Sequence, residues 1–197
     1  MRLAMGIGGE KTARLALLAG FALALLVWAA SVSTPAASAS ACDRFGKSDP
    51  SKLRSDDARR AIVCLLNQRR GRAGLPDLRP DNRLDRAAQQ HNGRMDGTGC
   101  FDHACSGESD LGRRLERVGY LGGGLTRWVY GENLAWGADW RGSPAAIVAA
   151  WMDSPPHRAN ILNRSFREVG IGFDTGTPGG DNAPGGIYTV DFGLRVD

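Results

Sequence analysis

The spacing of apolar residues changes character once along this chain, and that change limits the folds open to it. In four stretches before residue 155 the apolar positions recur every three or four residues, the repeat of a helix with one buried face. Ala58, Ala61, Ile62, Leu65 and Leu66 form the first set, after the acidic start Ser55-Asp56-Asp57 and before Gly71 and Gly74. Pro80-Asp81 opens the second, carried by Leu84, Ala87, Ala88, His91 and Met95 and stopped at Gly97 to Gly99. Leu111, Leu115 and Val118 mark a third over 110–118, and Ser143-Pro144 starts a fourth through Ile147, Val148 and Trp151. From Val169 the step becomes two. Val169, Ile171 and Phe173 alternate with Gly170, Gly172 and Asp174, and Ile187, Thr189 and Asp191 alternate with Tyr188, Val190 and Phe192. Two strands joined across the Gly- and Pro-rich segment 176–186 are expected. Helices gathered ahead of a terminal antiparallel sheet predict an α+β domain with layered packing.

Residues 1–41 read as an export signal. Arg2, Lys11 and Arg14 give a positive start, Leu15 to Ala30 is an unbroken apolar run, and Ala37-Ser38-Ala39 and Ala39-Ser40-Ala41 fit small-x-small cleavage sites. The run is shorter than the roughly 20 residues of a spanning helix, which favours a cleaved leader over a retained anchor. Ala39, not a bulky aliphatic, stands three residues before Cys42, which speaks against acylation of that cysteine. Without the leader, 22 basic side chains face 20 acidic ones. That balance, with no basic stripe interleaved with aromatics, argues against a nucleic-acid partner.

Four cysteines in an exported chain suggest two disulfides, for which three pairings exist. Cys42–Cys64 and Cys100–Cys105 are favoured: the first pins an N-terminal arm to a helix and the second closes a small loop around His103. The arginines Arg69, Arg70 and Arg72 read as a solvated helix end that complements the dipole. His91, on an apolar stripe, reads as a core histidine.

The densest chemistry lies in Trp151-Met152-Asp153-Ser154-Pro155-Pro156-His157-Arg158-Ala159-Asn160-Ile161-Leu162. Ser154 is placed to cap a short helix with its side chain, Pro155 suits the first helical position, and His157 falls in the first turn. The positive end of a helix disfavours imidazolium, so a neutral imidazole there suits a metal or a polar ligand. Phe101-Asp102-His103 and Gly131-Glu132-Asn133-Leu134-Ala135 supply another imidazole and a carboxylate. His103, Glu132 and His157 together would make a three-ligand zinc site, although spacing alone does not bring them together. Asn133 and Asn160 read as structural, satisfying backbone groups. Asp191 faces either the cleft or the surface.

These three segments resemble the signature blocks of bacterial CAP-domain proteins, a superfamily that takes in cysteine-rich secretory proteins, insect venom antigen 5 and plant pathogenesis-related proteins. Leu66-Asn67-Gln68-Arg69-Arg70 with Gly74-Leu75-Pro76, then Glu168-Val169-Gly170-Ile171-Gly172 and Val190-Asp191-Phe192-Gly193, match the remaining blocks in order. The likeness runs from Ala61 to Gly193, so residues 42–60 are taken as an arm and helix start and residues 61–197 as the CAP domain. It implies a three-layer α-β-α sandwich with a central antiparallel sheet and a cleft. In eukaryotic members two His and two Glu line that cleft and can hold a divalent cation. On that pattern His103 and His157 take the His positions and Glu132 the first Glu. The second Glu has no counterpart: Ser154 stands near its place, and Pro156 replaces the Gly usual in bacterial relatives. Zinc or another divalent cation is therefore expected to bind weakly, or with water completing its shell.

The expected function is a secreted, monomeric binding module whose cleft takes a small ligand, a lipid or a cell-envelope component. Membrane contact is expected only through the leader before cleavage. The alternative is a metal-dependent hydrolase in the same cleft, with Glu132 and His157 as its candidate catalytic residues. Neither an H-E-x-x-H helix nor a G-x-S-x-G elbow supports catalysis, so binding is favoured over an enzyme. A Ser154–His157 hydrolase would need the serine oxygen free of its capping role. A domain with a vestigial cleft is a further possibility.

Overall fold

The structure is a computed structural model that describes residues 36–179 and 184–196, with residues 36–40 as backbone only. The expected leader therefore lies outside the described residues except for 36–41. Those six residues begin a helix that the sequence did not suggest. The elements are α1 (Ala36–Phe45), α2 (Ser55–Arg72), β1 (Arg79–Pro80), α3 (Asn82–Thr98), α4 (Leu111–Arg117), β2 (Arg127–Ala138), α5 (Pro144–Asp153), α6 (Pro155–Ile161), β3 (Glu168–Thr175) and β4 (Gly185–Val196). Local sequence explains most of their boundaries. Asp81 accepts from the Arg83 and Leu84 amides at the start of α3, and Gly99 ends it in the left-handed region at φ 68°. Asp110 caps α4 through the Arg113 amide. Pro144 opens α5 at a position that needs no donor.

The sheet runs β1-β3-β4-β2. β4 pairs antiparallel with β3, Ile171 opposite Val190, and with β2, Glu132 opposite Asp191. The two-residue β1 runs parallel to β3, so the sheet is mixed at one edge where a fully antiparallel one was expected. The segment Gly131 to Ala135 reads in the sequence as a strand or loop end, and it lies within β2, a twelve-residue edge strand.

Alternation along the strands gives the sheet two buried faces. Val169, Ile171, Phe173, Tyr188, Val190 and Phe192 point one way and pack on Ile62, Leu66, Ile147, Val148, Trp151 and Ile161 from α2, α5 and α6. The opposite face carries α3. There Gly170 and Gly172 let the helix backbone rest directly on the strand: a Cβ at Gly170 would lie 2.0 Å from the Leu84 carbonyl carbon, and one at Gly172 2.4 Å from the Ala88 carbonyl oxygen. Helices thus cover both faces of the sheet, which is the expected α-β-α order.

Both favoured disulfides are formed, Cys42–Cys64 between α1 and α2 and Cys100–Cys105 in the loop after α3. One charged residue overturns its expectation. Arg70 is fully buried rather than solvated, and its guanidinium donates to the carbonyls of Pro76, Ile161, Asn163 and Phe166 at 2.8–3.2 Å.

Candidate functional site

β2 positions the centre of the site. Its even residues, Trp128 to Trp136, face the α3 side of the sheet, where Leu134 joins Met95, Cys105 and Ile187. Glu132 stands on that face in register with Asp191. One Glu132 carboxylate oxygen lies 2.8 Å from His103 Nδ1, and the other takes a hydrogen bond from Arg114 Nη2. The Cys100–Cys105 bridge closes the loop that holds His103 over the strand. Arg114, on α4, also donates to the His103 carbonyl at 2.8 Å. Its Nη1 approaches His91 Nδ1 at 2.9 Å, and Glu108 reaches the same imidazole nitrogen at 2.8 Å.

His157 reaches this strand from the other side. Asn133 donates to the His157 carbonyl at 3.1 Å, and Asn160 donates to the Glu132 carbonyl at 3.0 Å and to the Asn133 side-chain oxygen at 2.9 Å. Both asparagines are structural, as expected, and they stitch α6 to β2. Ser154 corrects its expectation: it precedes α6 but makes no side-chain cap. Its Oγ lies 2.7 Å from His157 Nδ1 instead. Pro156 lacks the amide at the second helical position, one of the two a capping serine can use, and the His157 imidazole engages the hydroxyl instead.

Charge is distributed unevenly over these groups. The hydrogen bond to Glu132 raises the His103 pKa above its ordinary value, against the opposing effect of burial. Burial, and then the nearby His103, lower that of His157. Burial disfavours a charge on Glu132, but the His103 hydrogen bond and the Arg114 and His91 fields outweigh it and hold its carboxyl below the usual range. Asp191, which had been open to either side, is wholly buried; burial and then the neighbouring Glu132 push its carboxyl well upward. Between them the two facing carboxyls favour a single charge, carried by Glu132.

The residues do not fit the expected zinc site. Glu132 has one oxygen on an imidazole and the other on a buried guanidinium, so Arg114 already supplies the positive charge that a bound cation would bring. Among the described residues no group of three or more His, Cys, Asp and Glu side chains is arranged to hold a metal ion. His91 is buried as expected, but among polar partners. Arg114 and Glu108 were missed as members of the site, and Asp191 had been left open. Arg114 did leave a signal: it falls three residues after Leu111 and four before Val118, on the apolar stripe of α4.

Sequence and structure comparisons agree with this architecture. The chain belongs to the Cysteine-rich secretory protein family (CAP), whose profile matches residues 63–192. It is 32% identical over 112 residues to the uncharacterized protein YkwD of Bacillus subtilis, covering 57% of this chain and 40% of that protein. The uncharacterized membrane protein YlbC of the same organism is 31% identical over 113 residues, covering 57% of this chain and 30% of YlbC. The chain thus spans less than half the length of these curated relatives. Among solved structures, an extracellular SCP-domain protein from Bacillus anthracis shares 28% identity at a TM-score of 0.56, over 70% of this chain and 40% of that one. An outer surface protein from Borrelia burgdorferi shares the fold, at 19% identity and a TM-score of 0.59, over 73% of this chain and 97% of that one.

Proposed function

We propose that this chain is a secreted binding domain for a saccharide component of the cell envelope, held along β2 beside His103 and Glu132. One observation carries the reading. Six large apolar side chains are exposed among the described residues, and five of them are aromatic. Trp128, Tyr130, Trp136 and Trp140 lie on β2 or the turn that follows it, Phe101 lies on the His103 loop, and each exposes between 41% and 68% of its surface. Exposed aromatic rings concentrated on one strand mark an interaction surface. Trp128 and Tyr130 are alternate residues, about 7 Å apart on one face, and Trp136 stands three alternate positions further along it. A sugar ring has an apolar face that stacks on an indole or phenol and hydroxyl edges that suit imidazole and carboxylate. Arg127, Arg141 and Arg195, beside the same rings, suit the carboxylates or phosphates of an envelope glycan.

Binding is supported over hydrolysis by the commitments of the polar groups. Glu132 is engaged at both oxygens, and among the described residues the Ser154–His157 contact has no third group to orient the imidazole. Export is supported by the leader-like residues 1–41, by two formed disulfides and by the extracellular and outer-surface origins of the structural neighbours. Among the described residues no helix is long and apolar enough to cross a membrane.

Co-sedimentation with purified peptidoglycan sacculi tests the reading. The protein should pellet with the sacculi, and the paired change Tyr130→Ala and Trp136→Ala should weaken binding about tenfold or more. A protein that stays in the supernatant rejects the saccharide ligand. Release of soluble fragments from the sacculi would favour the hydrolase instead.

A further inference from the structure

Tyr130 is exposed on β2, yet the far end of its ring is seated on another element. It lies against α4, over Gly112. A Cβ built on Gly112 would stand 2.8 Å from the Tyr130 phenol oxygen and 3.4 Å from the ring carbon that bears it. The third of the nearest atoms is Asp110 Oδ1 at 3.4 Å, from the residue that caps the same helix. Any side chain at position 112 would therefore take the space that the phenol occupies.

Glycine is otherwise a poor choice there. It is the second residue of a seven-residue helix, where it loses more conformational freedom than alanine and weakens the helix. Its backbone is not among the left-handed glycines, so the path of the chain does not call for it. The register of α4 on β2 supplies a reason. Gly112 receives the end of Tyr130, and Arg114, two residues on, bonds Glu132, two residues further along the strand. We propose that Gly112 is a positioning residue for the ligand row on β2: its missing side chain is the space that lets the Tyr130 ring lie where a sugar can stack on it. The ligand named here rests on the saccharide reading, while the packing stands without it. A methyl group at 112 would meet the tip of a side chain that can swing to another rotamer, so the ring would move and the backbone would stay. Helix stability and ligand binding should then move in opposite directions.

Four proteins decide it: the unaltered chain, Gly112→Ala, Tyr130→Ala and the double variant, each unfolded in urea and titrated with purified peptidoglycan sacculi. Gly112→Ala should be at least as stable as the unaltered chain and bind sacculi about threefold or more weakly. In the Tyr130→Ala background the same substitution should leave binding where it is, because the ring it displaces is gone. The chain has three tyrosines, and Tyr120 and Tyr188 are buried, so ring-carbon NMR can follow Tyr130 on its own. Its resonance should shift in Gly112→Ala while the His103 titration midpoint stays fixed. Equal binding by Gly112→Ala, an equal loss with and without Tyr130, a lowered urea midpoint or an unshifted Tyr130 resonance overturns the inference. If the unaltered chain itself stays in the supernatant, the saccharide reading fails and takes the proposed ligand with it. An unshifted Tyr130 resonance is the separate failure of the packing.

Discussion

Arg70 shows how much one side chain can hold. Its guanidinium ties the Pro76 turn and the segment after α6 to the end of α2, through four carbonyls and no carboxylate. Arg70→Ala leaves those carbonyls short of donors and opens a cavity, so unfolding in urea should show a loss of about 3–5 kcal/mol. Arg70→Lys keeps the charge but not the planar fork, and should recover only part of that. A loss below about 1 kcal/mol for Arg70→Ala would mean the carbonyls find water. The two site histidines give a second residue-scale prediction. His103 has a folded pKa above its ordinary 6.5, so its pairing with Glu132 stabilises fully below that value and fades as pH rises through the folded one. His157 has the opposite sign: its contribution is present above 6.5 and is lost as pH falls through its depressed folded value. Histidine NMR titrations should place the His103 midpoint above that of His157, and Glu132→Gln should bring His103 back toward 6.5. The reverse order would rule out the pairing. At this scale sequence reading was weakest. Arg70 sits where helix ends usually carry solvated cations, and nothing local reveals that two distant segments converge on it. Ser154 was misread because capping preference is a property of the position, while the neighbouring prolines and imidazole decide where the hydroxyl turns.

Elements were easier to read wherever one face is buried. α2, α3, α4 and α5 display a single apolar stripe, and β3 and β4 a plain alternation, so each was legible. β2 was not, because its faces are mixed. Large aromatics lie on its partly exposed face, while the face toward α5 and α6 carries Gly131, Asn133 and Ala135, which are small or polar. The strand also manages its free edge with side chains: the Asn160 amide donates to the Glu132 carbonyl, and the Trp151 indole to the Leu134 carbonyl at 2.9 Å. Outward carbonyls occupied in this way are closed to pairing with another chain. The contact of α3 with β3 is the element-scale weak point. Gly170→Ala would drive a methyl group into the Leu84 backbone, and neither backbone can yield without moving the other. A loss of about 2–4 kcal/mol is expected, read as a lower urea midpoint with an unchanged slope. A neutral outcome would show that α3 can lift from the sheet.

Across the whole molecule the order of short blocks from Ala61 to Gly193 was enough to anticipate a layered α-β-α domain, and the cysteine spacing enough to favour the pairing that formed. The centre of the site was only half legible: His103 and Glu132 do meet, but the cation beside Glu132 is Arg114, contributed by a helix whose packing no single segment encodes. The two disulfides separate global stability from site geometry. Closing the 22-residue separation between Cys42 and Cys64 restricts the unfolded chain by about 3 kcal/mol, and the 5-residue separation between Cys100 and Cys105 by about 2 kcal/mol. Replacing Cys42 and Cys64 by serine should therefore lower stability more, yet leave the His103 titration where it was, since α1 packs chiefly on α2. Replacing Cys100 and Cys105 should lower stability less but release the loop that holds His103 on Glu132, moving its midpoint toward 6.5. Urea unfolding and histidine NMR on the two paired variants check both halves. If the His103 midpoint moves with the Cys42–Cys64 pair and stays fixed without Cys100–Cys105, Arg114 and Glu132 position the imidazole by themselves and the small loop is incidental to the site.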